Sequence, residues 1–184
     1  MNLASTRTLE SLRPVLQEPE AKGPNPVYKV FNDLDEHLKD QGWINQTIIE
    51  PGKIGEEYTK TFGHYHSHPR DERYRVESGE GVLILQKGKP DMVGEVLLVR
   101  AKAGDEILIT PEYGHSWSNI GDKKLVLVDN WKDGHSPGDY QPIEDYQGMA
   151  YYLVDQDSPT AIPNPTYKNL PAPQWINAIE LQHG

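Results

Sequence analysis

From Trp43 onward, apolar positions come in short runs broken by Gly, Pro, Asp and Asn at intervals of about ten residues, a rhythm that predicts antiparallel strands packed as a β-sandwich or small barrel. The runs are Ile44 to Ile49, Glu72 to Val76, Gly81 to Gln86, Val96 to Ala101, Glu106 to Ile109, Lys124 to Asp129 and Met149 to Val154. Gly79-Glu80-Gly81, Gly88-Lys89-Pro90, Ala103-Gly104-Asp105 and Gly121-Asp122-Lys123 supply the turns between them. Alternation along the runs puts Val82, Ile84, Val96, Leu98, Ile107, Ile109, Leu125 and Leu127 at inward or intersheet positions. Neither a repeat nor an alternation of strand with long helix is present, which argues against a parallel α/β sheet.

Helical spacing is confined to the first quarter of the chain. Leu9, Leu12, Val15 and Leu16 share a short helical face in a segment otherwise broken by Pro14, Pro19, Gly23, Pro24 and Pro26. A second short helix is predicted near Leu34 and Leu38, with Asp33 as its cap and Gly42 as its stop. Beyond Asp157, five prolines (Pro159, Pro163, Pro165, Pro171, Pro173) require an extended tail draped over the surface, and Trp175 to Ile179 are apolar enough to dock. The expected organisation is an N-terminal arm over 1–27, a β-barrel domain over 28–155 and a C-terminal tail over 156–184.

Composition narrows the function. The 184 residues suit one ordinary globular domain. With 18 basic against 28 acidic residues the formal charge is −10, the wrong sign for a partner of nucleic acid or anionic lipid. No window approaches the roughly 20 apolar residues that span a bilayer, and Met1 to Glu10 lacks the apolar core of a secretory signal, so the expected location is the cytoplasm. There is no cysteine, which removes disulfides, thiolate nucleophiles and cysteine-ligated clusters and leaves any metal to His and carboxylate.

The chain offers such a set. In Gly63-His64-Tyr65-His66, residues two apart on a strand point to one face, so both imidazoles can meet at one interior point. Glu72 enters the next strand, and Pro111-Glu112-Tyr113-Gly114-His115 delivers a third imidazole at the start of another, with Asn119 four residues on. Three imidazoles and a carboxylate suit Fe²⁺, Mn²⁺, Ni²⁺ or Zn²⁺, and spacing alone does not rank these ions.

This arrangement of H-x-H, Glu and G-x-G, followed by P-x-x-G-H-x-x-x-N, resembles the two-part signature of the cupin superfamily. Within it, Thr47-Ile48-Ile49-Glu50-Pro51-Gly52-Lys53-Ile54-Gly55-Glu56, Thr61-Phe62-Gly63-His64-Tyr65-His66, Glu72-Arg73-Tyr74 and His115-Ser116-Trp117-Ser118-Asn119 resemble the cupin-type glucose-6-phosphate isomerases found chiefly in archaea. The similarity runs from residue 28 to about residue 140. It implies an all-β fold, the double-stranded β-helix or jelly-roll barrel of cupins, working as a homodimer in which residues 1–27 exchange or flank. It also implies reversible isomerisation of a small phosphosugar, glucose 6-phosphate to fructose 6-phosphate, in glycolysis and gluconeogenesis.

Residue by residue, His64, His66, Glu72 and His115 match the family's ligands for one divalent ion, Fe²⁺ first among the four, and Glu72 is placed to act as the base. Tyr28, Thr47, Thr61, Gly63 and His135 match positions around the substrate phosphate, Tyr74 lines the cavity, and Tyr140 is a further phosphate contact. The chain departs from the family pattern in a short stretch before Glu72, where His68 is an additional candidate ligand. Trp131 stands where the family has a phosphate-side tyrosine, and Ser136-Pro137-Gly138 intervenes before Tyr140. The rival readings are another metallocupin enzyme, such as an oxygenase or an isomerase of a different phosphosugar, and a non-catalytic sugar-binding or regulatory cupin.

Overall fold

The alternating runs become strands of three sheets in the computed structural model, which describes residues 1–181; the last three positions of the expected tail lie outside the described residues. In chain order the elements are β1 (Asn2–Arg7), α1 (Leu9–Leu12) with a 3₁₀ turn at Arg13–Val15, β2 (Tyr28–Asn32), α2 (Glu36–Lys39), β3 (Asn45–Ile49), β4 (Lys53–Ile54) and β5 (Glu57–Tyr58). They continue with β6 (Glu72–Ser78), β7 (Glu80–Lys87), β8 (Glu95–Lys102), β9 (Glu106–Ile109), β10 (Tyr113–Asn119) and β11 (Leu125–Asp129). Last come α3 (Pro137–Glu144), β12 (Tyr151–Asp155), β13 (Pro159–Pro163), β14 (Gln174–Asn177) and α4 (Ala178–Leu181). The first sheet has the order β1-β2-β3-β11-β6-β9, the second β10-β7-β8-β14 and the third β13-β12-β5-β4. The chain therefore folds as a mostly β sandwich, with its first two sheets face to face.

Pairing register identifies what each face carries, because directly opposed residues share a face. On the second sheet, His115 lies opposite Leu85 and Leu85 opposite Leu97, so these point inward with Trp117, Leu83 and Val99. Ile84, Leu98, Val82, Gln86 and Val96 occupy the other face, yet they too are buried. Residues beyond 148 cover that face. Gln86 accepts the Ala150 N–H at 2.7 Å and donates to the Tyr167 hydroxyl at 3.3 Å. The eight positions predicted to be inward or intersheet are all at most 3% exposed. Strand β7 is consequently apolar at almost every position, where a strand with one wet face would alternate.

Residues 1–27 are built into this core. Strand β1 pairs antiparallel with β2, ending on Arg7 opposite Tyr28, and Thr8 caps α1 by accepting the Ser11 N–H at 3.2 Å. Leu12, Val15 and Leu16 are fully buried along the helical face that their spacing predicts. A buried ion pair fastens the segment: Lys60 Nζ sits 2.5 Å from Glu57 and donates to the Val15 carbonyl at 2.6 Å, while Glu57 accepts the Gln17 N–H at 3.0 Å. Asp33 does not cap α2. Asp35 occupies that place, and Asp33, at φ +50°, pairs with Lys39 at 2.7 Å. Within the tail, β13 pairs with β12 and β14 runs parallel to β8, where Trp175 stays partly exposed beneath the Arg100 guanidinium. Among the described residues no helix is long and apolar enough to cross a membrane.

Removing one member of a buried pair strands the other charge away from water. Lys60→Met is expected to lower stability by about 3–5 kcal/mol in urea unfolding, and the added change Glu57→Gln to restore part of that loss. A Lys60→Met protein as stable as the parent would mean that the pair does not hold the N-terminal segment.

Candidate metal centre

The site begins with two backbone hydrogen bonds. His64 donates to the His115 carbonyl at 3.1 Å and His115 donates back to the His64 carbonyl at 2.9 Å, so two residues far apart in sequence face one another as a single antiparallel pair. The stretch around His64 and His66 is a loop held by this bridge and by the Tyr65 N–H, which donates to the Asp139 carbonyl at 3.0 Å, and not the strand that the H-x-H spacing predicts. Extended backbone still gives the period of two that sends both imidazoles to the same side. Gly63, at φ +85°, turns the chain into the bridge. Gly114 leaves room for the Tyr65 ring, which a Cβ there would meet at 2.5 Å. Glu72 opens β6 on the facing sheet.

Four side chains converge from these places. The donor atoms of His64, His66, Glu72 and His115 lie within 4.8 Å of one another. Glu72 Oε2 is 3.2 Å from His66 Nε2 and 3.1 Å from His115 Nε2, and His64 Nε2 is 3.1 Å from His66 Nε2. The Glu72 and His66 side chains have no exposure, and His115 has 1%. Both Glu72 oxygens and both His115 ring nitrogens are buried without a hydrogen-bond partner. Orphaned polar atoms of this kind cost about 1–3 kcal/mol each when nothing meets them. A divalent cation at their common focus would satisfy them together, so the residues present fit a metal.

The protonation states agree with that fit. Burial opposes charge on Glu72, but the His115 and His66 rings beside it outweigh burial and bring its pKa down to about 2. Burial, joined by the His115, His135 and His66 rings, pushes His64 well below the ordinary imidazole range. A charged carboxylate and a neutral imidazole are the forms that bind a metal.

Around the ligands lie the other residues singled out in the sequence. Burial, followed by the Glu72 and Asp129 carboxylates, raises the Tyr74 pKa well above the ordinary phenol value. The His135 ring stands 3.9 Å from the His64 ring and 5.7 Å from Tyr140. Burial outweighs the pull of Glu72 and lowers the His135 pKa to about 4. The Tyr28 hydroxyl accepts the Phe62 N–H at 3.4 Å, and burial lifts its pKa to about 12. Thr61 Oγ accepts the Trp117 N–H at 3.0 Å, beside Gly63. Thr47 is buried on β3, opposite Leu127 and Val30. His68 is exposed and stands apart from the four-residue cluster.

Two features of the site escaped sequence reasoning. Trp131 is not a donor to a ligand: its ring stacks on His66 at 3.9 Å, and its indole N–H goes to the Gly134 carbonyl at 2.8 Å. Ser136-Pro137-Gly138 does not displace Tyr140 but starts α3, which brings Tyr140 within 5.8 Å of His64. The signal was there, because Ser followed by Asp three residues later, with Pro at the first helical position, is a helix start. The Asp139 carboxylate accepts the Ser136 N–H at 2.8 Å and the Ser67 N–H at 3.0 Å, along with the Ser67 hydroxyl. It ties the loop after His66 to the helix that carries Tyr140.

If that tie positions the imidazoles, Asp139→Ala should weaken retention of a divalent ion by about tenfold or more in competition with a chelator, as loss of outer-sphere partners does elsewhere. Equal retention in both proteins would mean that the loop holds its shape without Asp139.

Comparison with known proteins adds the family. The family model described as glucose-6-phosphate isomerase (GPI) matches residues 7–168, which extends the resemblance into both terminal segments. A glucose-6-phosphate isomerase of Thermococcus litoralis is 27% identical over 174 residues, covering 89% of this chain and 87% of that protein. One of Sinorhizobium medicae is 34% identical over 110 residues, covering 59% of this chain and 49% of its own length. Among solved structures, one described as a predicted oxalate decarboxylase of Thermotoga maritima aligns with a TM-score of 0.44 at 18% identity, over 70% of this chain and 90% of the other. With a family model matched across most of its length, and with the His64, His66, Glu72 and His115 cluster at the centre of that match, the chain belongs to the glucose-6-phosphate isomerase family.

Proposed function

We propose that the protein is a metal-dependent aldose–ketose isomerase that interconverts glucose 6-phosphate and fructose 6-phosphate, a step shared by glycolysis and gluconeogenesis. One divalent ion per chain would sit on His64, His66, Glu72 and His115, with Fe²⁺ the first choice and Mn²⁺, Ni²⁺ and Zn²⁺ also suited to the donors. When bound, it would supply a Lewis acid for the oxygens on C1 and C2 of the open-chain sugar.

The observation that carries this reading is the place of Glu72: its Oε2 lies 3.2 Å from His66 Nε2 and 3.1 Å from His115 Nε2, and among the described residues it is the carboxylate of that cluster. A carboxylate has two oxygens, so one can serve the ion while the other moves a proton. Glu72 takes the proton from C2 of glucose 6-phosphate and returns it to C1 as a second proton passes from O2 to O1, so the aldose becomes the ketose by way of an enediol. At the far end of the sugar, the Tyr28 hydroxyl accepts the Phe62 N–H and keeps its own proton to donate to a phosphate, with Thr61 next to Phe62 in the chain. Thr47, the backbone at Gly63, His135 and Tyr140 complete that end.

Metal analysis of the purified protein, run beside an assay with both hexose phosphates, tests the whole reading. His64→Ala and His115→Ala should each strip the ion and abolish turnover while leaving a folded protein. Glu72→Gln should reduce turnover by orders of magnitude even when metal-replete, since an amide is no base. Turnover in D₂O should place deuterium at C1 of fructose 6-phosphate. A metal-replete Glu72→Gln enzyme with substantial activity and no deuterium at C1 would remove Glu72 as the base and favour direct hydride transfer.

The partner proposed for the chain is a second copy. Strand β1 lies at an edge of the first sheet, where Met1 and Leu3 are more than half exposed, and an open edge invites pairing. Sedimentation at micromolar concentration should give the mass of a homodimer, and a monomer mass would defeat this.

A further inference from the structure

Arg7 is the last residue of β1, the strand at the edge of the first sheet, and register sets it directly opposite Tyr28 on the face that looks into the site. The first five residues of that strand are exposed, whereas Arg7 is half-buried. Its guanidinium lies 5.1 Å from the centre of the Tyr140 ring and 5.4 Å from that of Phe62, and its side chain reaches the Tyr28 and Tyr140 hydroxyls. Arg7, Phe62, His135 and Tyr140 line one cleft of about 410 Å³, with the exposed Glu144 at its margin. His135 joins this cleft to the metal cluster, since its ring packs on that of His64. Among the described residues Arg7 makes no salt bridge. A guanidinium held among hydroxyls and aromatic faces, with no carboxylate on it, keeps its planar set of donors for an incoming anion.

Other cations near the site are committed elsewhere. Lys60 is bound to Glu57 and the Val15 carbonyl. Arg70 pairs with Asp133 at 2.8 Å on the surface. Arg73 alternates with Glu72 and Tyr74 along β6, so its side chain lies on the opposite face, where it covers Trp43 and donates to the Gln41 carbonyl at 3.1 Å. A chain of net charge −10 that takes a dianionic sugar needs one local cation at the anionic end, and this cleft contains one.

We propose that Arg7 is the residue that recognises the phosphate of the substrate, giving the N-terminal strand a direct part in specificity. The proposal rests on the phosphosugar reading above and deepens it. The two hydroxyls that Arg7 touches, Tyr28 and Tyr140, belong to the set assigned to the phosphate from the sequence, and Arg7 adds the charge that those neutral donors lack. The metal end holds the reacting carbons, and Arg7 holds the other end of an extended chain.

Binding is measured by calorimetry on the metal-loaded full chain with three probes: glucose 6-phosphate, inorganic phosphate and glucose. Arg7→Gln should weaken glucose 6-phosphate and inorganic phosphate by about tenfold to a hundredfold, the range for loss of charge-assisted bonds. Glucose should be unaffected, and Arg7→Lys should recover part of the loss. Metal content and the unliganded thermal midpoint are measured for each variant. Parent-like phosphate binding in Arg7→Gln overturns the proposal, as does equal weakening of glucose and glucose 6-phosphate, which would mark a merely structural role. If the parent binds phosphate through Arg7 but turns over neither hexose phosphate, the anion site stands and the isomerase reading falls. If the parent binds no phosphate at all, the anion site falls on its own, whatever the turnover.

Discussion

The mutual pair of hydrogen bonds between His64 and His115 is the constraint on which the site depends. Side chains on flexible stems do not hold three imidazoles and a carboxylate together against their own desolvation, whereas backbone groups that exchange both N–H···O bonds fix the spacing of their Cα atoms. Once His64 and His115 are joined, His66 follows on the same side because the backbone between them is extended. Strand β6 then needs only to enter from the facing sheet with Glu72 first. Gly63 and Gly114 serve the same pair, one through its turn and the other through the space it leaves for Tyr65. Packing of the two sheets on Leu83, Leu85, Leu125, Leu127 and their neighbours supplies the rigidity; the bridge converts it into ligand geometry.

Charge follows a similar division between global and local. The net charge of −10 disfavours anions at long range, so attraction for an anion has to be local, as in the cleft that Arg7 lines. There the Tyr28 hydroxyl accepts the Phe62 N–H, and the Arg7 guanidinium arrives on a strand from the other end of the chain.

Strands that alternate were legible because one period describes them, and so was the shared direction of His64 and His66, which sit two apart in the chain and converge with Glu72 and His115. Strand β7 was legible as a strand, but its two faces were not separable, since the face away from His115 is covered by residues around Ala150 and Tyr167, and apolar residues on both sides remove the alternation. Strand β1 carries Asn2-Leu3-Ala4-Ser5-Thr6-Arg7, a polar stretch with no hydrophobic signal, and it becomes a strand because β2 offers an edge. Local pattern says nothing of an edge supplied by tertiary structure.

The segment after Trp131 was read least well, for a related reason. A loop and a short helix differ there only in whether the Asp139 carboxylate is already engaged. Asp139 accepts from Ser136 within its own helix and from Ser67 across the site, so the helix start and the loop after His66 stabilise each other. The bond within the helix follows a spacing rule and was available to sequence reasoning as Ser136 and Asp139. The bond across the site joins residues far apart in the chain and follows no rule of period. Trp131 is similar: the ring that stands at a donor's position is used for its flat face against His66, a role that depends on where that imidazole lies. His64 and His66 are thus brought together by spacing, whereas the residues packed around them are placed by contact, and contact becomes visible only when the two sheets have closed on His64 and His115.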